Sequence, residues 1–493
     1  MSRGRQGDET PTAAPSGAVW VPVTAGRDKP VYLAIADAIA DDIAAGVLTP
    51  GQRLPPQRQL AALMGIDFTT VSRAYVEARH RGLIDARVGQ GTFVRAAPAA
   101  PAQPDPAPVP APGPEPEIVS GLVDMTMNQP PVPTAPALLE RMRAGMAAAL
   151  PTGLPGLLHY PDGLDPDAEA DGRAAAAVWL APRLPGVPAD RLLTTPGTQG
   201  ALLALLTLLT QPGDTVCTEA LTYPGFKAAA AQRGLRVVGV PMDGDGIDPD
   251  ALDRCCTEHG PALLYCTPTL HNPTTATMPE DRRRAVAAVV RRHGLPVLED
   301  DVYGPLPTTP IPPLAAFAPD QVFHIAGLAK CLSPQVRIAY VAAPSARQAL
   351  RLGAVLRGSA LMPSPITAAV ARRWIADGTA AHVLDAIRAE AMTRRALAAS
   401  LLPAGCVTGP AEAYHVWLSL PPAWPRADFA AHLRAHGIAA VTADAFAADG
   451  ASPVPEALRL CLGAAHGRSG TRRMLAVVAE ALDRLPAEPG TVI

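Results

Sequence analysis

Between residues 30 and 95 the apolar positions follow a helical period three times and then change to short strands. Leu33, Ile35, Ile39 and Ile43 recur at helical spacing, and Gly46 followed by Pro50-Gly51 ends that helix. A second helix is predicted around Gln57 to Met64, stopping at Gly65. A third begins after Asp67, whose carboxylate suits an N-cap, and carries Val71, Ala74, Tyr75 and Ala78 on one face. Gly82-Leu83-Ile84 and Gly89-Gln90-Gly91-Thr92-Phe93-Val94 read as two short strands joined by a glycine turn. Three helices and a hairpin make a winged helix-turn-helix.

The pattern then breaks. Residues 96–118 are dominated by proline and alanine, a composition that builds no core and favours extended polyproline II. At roughly 3.1 Å per residue this linker reaches about 70 Å, enough to carry the N-terminal module over to a neighbouring subunit. Beyond it, strand-like runs alternate with helical ones: Asp214 to Thr218, Leu235 to Pro241, Ala262 to Thr267, Pro296 to Asp301, Val322 to Gly327 and Arg337 to Ala343. That alternation predicts an α/β domain with a largely parallel sheet covered by helices. The helix from Glu280 to His293 is well punctuated, with Pro279 before it and Gly294 after it. From about Arg372 the pattern becomes helices with shorter strands (Tyr414 to Leu420, Ala457 to Leu462), which predicts a smaller α+β subdomain.

Composition narrows the class. A chain of 493 residues, 48% hydrophobic, is too long for one core. Its net charge of -3 gives no global pull toward nucleic acid, so any basic surface is local. Seven scattered cysteines, with no Cys-x-x-Cys and no zinc spacing, predict reduced thiols in the cytoplasm, and the adjacent Cys255-Cys256 pair carries no evident chemistry. The polar start lacks an apolar stretch of signal-peptide type, so residues 1–29 read as a disordered tail, and the apolar run Ala201 to Leu209 is far too short to span a bilayer.

In a helix-turn-helix the third helix enters the major groove. Its first turn, Phe68, Thr69, Thr70 and Arg73, would face base edges or phosphates, while Arg58 and the wing tip at Gln90-Gly91 would contact backbone or minor groove. From Lys29 to Arg95 eight cations face six acids, and most of the arginines follow Gly51, on the side where DNA would lie. The segment resembles the DNA-binding domain of GntR-family regulators through Leu54-Pro55-Pro56-Gln57-Arg58-Gln59-Leu60-Ala61, Thr70-Val71-Ser72-Arg73-Ala74-Tyr75 and Gly89 to Val94. Asp67-Phe68 stands where that family usually has Ser-Arg, which removes one DNA contact, so the operator sequence does not carry over.

Lys330 is one of only three lysines, in a chain that otherwise uses arginine for positive charge. A lysine can lose its proton and attack an aldehyde, which a guanidinium cannot. Pyridoxal 5′-phosphate (PLP) would need such an amine, a carboxylate for its pyridine nitrogen, hydrogen-bond donors for its phenolate, and backbone amides with an arginine for its phosphate. Gly197-Thr198-Gln199 opens a helix whose N-terminus suits a phosphate, and Arg337 could close on it. Asp300 ends an apolar strand where α/β sheets put ligands, with Glu299 and Asp301 read as competing, solvated acids. Tyr303 and Asn272 are candidate donors to the phenolate, Tyr223 a candidate to stack on the ring, and His271 reads as a loop residue without an obvious partner.

Together these residues resemble fold-type I aminotransferases, through Tyr160-Pro161-Asp162-Gly163, Gly197-Thr198-Gln199, Pro212-Gly213-Asp214, Thr222-Tyr223-Pro224-Gly225, Asn272-Pro273-Thr274, Asp300-Asp301-Val302-Tyr303, Lys330 with Arg337, and Leu458-Arg459-Leu460. The resemblance implies that Tyr160 reaches a neighbouring subunit's phosphate, hence a homodimer, and that Arg459 pairs with a substrate carboxylate. Gly327 and Ala329 stand where the family usually has hydroxyls, which removes side-chain donors to the phosphate. A GntR-type winged helix linked to such a domain is the arrangement of MocR-type regulators. By that resemblance an amino compound displaces Lys330 from PLP as an external aldimine, and the resulting change in subdomain closure repositions the modules that hold operator DNA. A working aminotransferase with a DNA-binding appendage is the alternative, because Lys330 and Asp300 also serve transamination. A third reading keeps the second domain for dimerisation alone.

Overall fold

The computed structural model describes residues 19–23, 29–87, 91–95, 123–149, 166–464 and 467–484. The chain divides into two compact units, Met1–Gly113 and Pro114–Ile493.

The first unit contains α1 (Val31–Ala44), α2 (Gln57–Met64), α3 (Phe68–His80) and the antiparallel strands β1 (Ile84–Arg87) and β2 (Gly91–Val94). Its core is the stripe that the helical period selects: Ile35, Ile39, Leu60, Val71 and Ala74 are fully buried. Gly65, at φ +64°, ends α2 in the left-handed conformation that lets the chain turn into α3. Asp67 caps α3, its carboxylate accepting from Thr69 N at 2.7 Å. Tyr75 ties α3 back to the start of α2 by donating to Pro55 O at 2.8 Å. The packing extends further toward the N-terminus than the sequence predicts, for Trp20 lies against this core and donates to Asp42 at 2.8 Å.

The second unit begins with β3 (Val123–Asp124), α4 (Pro136–Ala149) and α5 (Pro166–Leu180). There follow β4 (Leu192–Thr195), α6 (Gly197–Leu209), β5 (Thr215–Glu219), β6 (Arg236–Val240), a small hairpin of β7 (Met242–Asp243) and β8 (Gly246–Ile247), β9 (Leu264–Cys266), β10 (Val297–Asp300), β11 (Val322–Gly327) and β12 (Ala339–Ala342). Seven of these form one sheet in the order β4-β12-β11-β10-β9-β5-β6. All run parallel except β12, which is antiparallel to both of its neighbours. Successive strand residues bury into opposite cores. Leu264, Val297 and Val322 pack under the helices Pro249–His259 and Glu280–His293, whereas Tyr265, Leu298 and Phe323 pack against α6. A sheet apolar on both faces needs helices on both, which is why its strands read as continuous apolar runs.

The smaller subdomain holds β13 (Val407–Thr408), β14 (His415–Ser419), β15 (Ile438–Ala439), β16 (Val441–Thr442) and β17 (Ala457–Cys461). Four form a sheet in the order β13-β14-β17-β16, while β15 pairs in parallel with β3. Among the described residues, no helix is long and apolar enough to cross a membrane.

Candidate functional site

In the parallel sheet, the carboxyl ends of β4, β5, β9, β10 and β11 lie along one edge, and antiparallel β12 starts there. Those five carboxyl ends and the approach to β12 carry Thr198, Tyr223, Asn272, Asp300, Lys330 and Arg337, so the topology alone gathers residues spread over 140 positions of sequence. Three of the four non-glycine residues with positive φ among the described residues belong to the same edge: Leu270 and Thr275 on either side of Asn272, and Arg337 itself at φ +53°. Backbone strain of this kind persists where the surrounding structure over-determines a residue, commonly at a site.

The phosphate end is built on α6. Gly197 has φ +75°, and a Cβ there would meet Arg337 Nη2 at 3.4 Å, so glycine lets the guanidinium lie against the helix N-terminus. Thr198 Oγ1 and Gln199 Oε1 are buried with no hydrogen-bond partner among the described residues. Gly327 acquires a reason here. A Cβ at that position would meet Thr198 Oγ1 at 2.3 Å and Val302 Cγ1 at 2.6 Å, so the Thr198 hydroxyl occupies the room that a larger residue on β11 would fill. A hydroxyl is thus supplied to the same place from the opposite element.

At the ring end, Asp300 accepts from Tyr265 at 2.8 Å through Oδ2, while buried Oδ1 has no partner among the described residues. Burial pushes Asp300 up to about 7. The sequence reading of its neighbours as solvated acids is corrected, because Glu299 and Asp301 are 0% and 2% exposed. The cause is the arginines that the neighbouring elements bring to them. Asp301 pairs with Arg183, and Glu299 lies 3.8 Å from Arg283 while accepting from Leu314 N at 2.7 Å and Ala315 N at 3.0 Å. Asp301 Oδ1 likewise has no hydrogen-bond partner among the described residues, but the Asp301 carboxylate is paired with Arg183, whereas Asp300 makes no salt bridge among the described residues.

Lys330 is half-buried, and burial brings its amine down to about 8. Its Nζ donates to Asn128 O. Arg459 is 5% exposed, with Nη1 donating to Asn272 Oδ1 at 2.7 Å, Nη2 to Thr126 O, and Nε unpartnered among the described residues. Its guanidinium lies over Phe446, 5.1 Å from the ring centre. Tyr303 is buried and accepts from Asn128 Nδ2 at 2.9 Å. Tyr223 is half-buried, and its ring covers Gly225, where a Cβ would lie 2.4 Å from it. His271 does have partners: its ring meets Thr274 Oγ1 at 2.8 Å, its carbonyl accepts from His415 Nε2 at 3.1 Å, and burial lowers it to about 4. Tyr160 lies outside the described residues.

Sequence reasoning missed Asn128, Tyr265, Tyr414 and His415. Tyr414 donates to Lys330 O at 3.3 Å. None sits in a motif-like spacing, and the contact of Asn128 with Tyr303 spans 175 residues.

These groups fit PLP. Two of the unpartnered buried atoms fall where that cofactor offers complements, Thr198 Oγ1 beside the arginine and amides for a phosphate and Asp300 Oδ1 for a pyridinium, and Lys330 brings an amine for an aldehyde.

On the first unit, Arg58, Phe68, Thr69 and Arg73 are exposed and Thr70 is half-buried. The Arg58 guanidinium sits 5.8 Å from the Phe68 ring centre and that of Arg73 5.0 Å from Tyr32. A Cβ on Gly91 would run into Arg53 Nε at 2.7 Å, while Gln90 lies outside the described residues.

Comparison with known proteins agrees with both halves. Residues 31–94 match the family of bacterial regulatory proteins, gntR family, and residues 122–478 match aminotransferase class I and II. The HTH-type transcriptional regulator YdeF of Bacillus subtilis is 30% identical over 88% of this chain and 90% of its own. The chain belongs to the MocR-type regulators. Another relative of this MocR-type chain is the vitamin B6 salvage pathway transcriptional repressor PtsJ of Salmonella typhimurium, 27% identical over 78% of this chain and 84% of its own. Among solved structures, alpha-aminoadipate aminotransferase LysN of Thermus thermophilus, in complex with N-(5′-phosphopyridoxyl)-L-leucine, superposes with a TM-score of 0.64 at 25% identity, covering 74% of this chain and 92% of that one.

Proposed function

We propose that this regulator holds PLP at Lys330 and senses an amino compound that competes for the same carbon, as a homodimer acting on operator DNA in the cytoplasm. The observation that carries the reading is the set of orphaned buried atoms around one pKa-lowered lysine. When bound, PLP supplies an aldehyde that condenses reversibly with amines on an electron-withdrawing ring. The chain's own residues do the rest. Arg337, the α6 amides and Thr198 hold the phosphate; Asp300 Oδ1 keeps a proton on the pyridine nitrogen; Asn272 and Tyr303 donate toward the ring oxygen; and Tyr223 covers the ring. Arg459 receives the carboxylate of the effector, which makes an amino acid the expected class. On the DNA side, Arg58, Phe68, Thr69, Thr70, Arg73 and the wing at Gln90-Gly91 form the contact surface.

The test is borohydride reduction of the PLP-treated protein followed by mass spectrometry. A pyridoxyl group on the peptide containing Lys330 is expected, and its absence would overturn the reading. Mixing the loaded protein with amino acids and a keto acid separates sensor from enzyme: a spectral change without multiple turnovers marks the sensor.

A further inference from the structure

β3 and the five residues after it form a strap, Val123–Gln129. Its first half belongs to the small subdomain: Val123 N donates to Gly437 O at 2.7 Å, Met125 N to Ala439 O at 2.9 Å, and Cys461 N to Met125 O at 3.3 Å. Its second half reaches the site. Lys330 Nζ donates to Asn128 O and Arg459 Nη2 to Thr126 O, so both cations that await ligands rest on main-chain carbonyls of one segment. Asn128 is 5% exposed; its Nδ2 donates to the Tyr303 hydroxyl at 2.9 Å, and its Oδ1 has no partner among the described residues.

We propose that Asn128 is the positioning residue through which the state of Lys330 is passed to the strap, and so to the stretch of chain that leads back to the DNA-binding module. The proposal rests on the reading of Lys330 as the PLP lysine. Two groups of Asn128 act. The carboxamide fills an acceptor site of Tyr303, which leaves that hydroxyl's single proton free to be donated elsewhere, toward the ring oxygen. The carbonyl accepts from an ammonium with three hydrogens. Once the amine has condensed with an aldehyde, water leaving, the nitrogen keeps one hydrogen at most, and Asn128 O loses its charge-assisted partner. A carboxylate arriving at Arg459 competes with Thr126 O in the same way. The strap therefore has two contacts specific to the ligand-free state, which is the differential interaction that any switch requires. Only residues 119–122 separate it in sequence from the Pro/Ala-rich segment 96–118.

Hydrogen exchange on the full-length protein, with PLP alone as the probe, tests the carbonyl. Exchange in peptides covering 123–129 is expected to speed at least several-fold when PLP binds. In Lys330→Ala it should be fast from the start and unchanged by PLP. Unchanged strap exchange alongside a visible PLP absorbance band in the native protein would overturn the proposal and leave the Lys330 reading intact, whereas no band at all would overturn both. A pH titration of that band tests the carboxamide. Tyr303→Phe removes a donor at the ring oxygen, and Asn128→Ala and its near-isosteric counterpart Asn128→Leu remove the contact that orients that donor, so each should raise the midpoint by about half a unit, the Lys330 nitrogen being left more basic. Combining Asn128→Leu with Tyr303→Phe should add nothing to Tyr303→Phe alone. An additive shift, or none in either Asn128 variant, would reduce Asn128 to packing and overturn its role.

Discussion

The two modules place their candidate site residues in opposite settings. In the winged helix Arg58, Phe68, Thr69 and Arg73 are all exposed, whereas in the aminotransferase domain Asn272, Asp300, Tyr303 and Arg459 are each at most 5% exposed. Exposed charges act through water and salt, so each contributes modestly and the sum sets affinity. Buried groups act at contact distance, with shifted proton affinities and few alternative partners, so single positions decide whether the chemistry occurs at all. A regulator needs both: a surface that binds DNA in graded fashion and a closed site that gives a discrete answer to one ligand.

The largest expected effect is in the buried site. Lys330→Ala should abolish covalent PLP while leaving the fold intact, because Lys330 is half-buried and its partner is a main-chain carbonyl. The checks are borohydride trapping with mass spectrometry, and a thermal melt within a few degrees of the native protein. A retained adduct at another residue would break the contrast between the modules at its strongest point.

The proton affinity of Lys330 sharpens it further. The neutral amine is the nucleophile, and with a pKa near 8 about a tenth of it is neutral at pH 7 and about half at pH 8. The rate of PLP loading, followed by absorbance, should climb roughly tenfold per unit below pH 8 and flatten above it. A climb continuing toward 10.5, the ordinary lysine value, would show an amine that burial does not perturb. The sign carries over to stability of the PLP-free protein: its folded pKa lies below the unfolded one, so the native state gains as pH rises from about 8 to 10.5.

On the exposed side the effects are smaller. Arg73→Ala should weaken operator binding by roughly three- to tenfold and lower the salt slope by about 1 if the guanidinium meets a phosphate. Gel shifts at two salt concentrations read both. The Tyr32 ring 5.0 Å from the Arg73 guanidinium holds it in place, so Tyr32→Ala should show a weaker version of the same loss.

The same contrast governs what the sequence reveals. Local signals were legible: the helices Gln57–Met64 and Glu280–His293 and the strand Val322–Gly327 fall where periodicity, Gly65, Pro279 and Gly294 put them. Lys330 and Asp300 stood out as candidates because an amine and a carboxylate follow apolar strand-like runs, whereas Arg459, in the middle of β17, was suggested by family resemblance alone. What stayed hidden is contact between distant elements. Asn128 gave no signal because its partners Tyr303 and Lys330 lie 175 and 202 residues away. Asp301 and Glu299 looked solvated because the arginines that bury with them, Arg183 and Arg283, come from other elements. Phe68 looked like a lost DNA contact, yet Arg58 lies over its ring, which keeps a guanidinium beside the first turn of α3.

The smallest effect tests how Gly327 and Thr198 share one place. Thr198→Ala removes the hydroxyl that the phosphate end would use and should weaken PLP by roughly three- to fivefold, the scale of one hydrogen bond. Gly327→Ala puts a Cβ 2.3 Å from Thr198 Oγ1 and must push that hydroxyl aside, so it should cost about as much by a different route. If both changes act on the same hydroxyl, the double variant should be little weaker than either single one. PLP titrations of the four proteins close this cycle. Fully additive losses would mean that the crowding at Gly327 acts through Val302, whose Cγ1 is the next nearest atom at 2.6 Å, and that the phosphate end depends on α6 and Arg337 without Thr198.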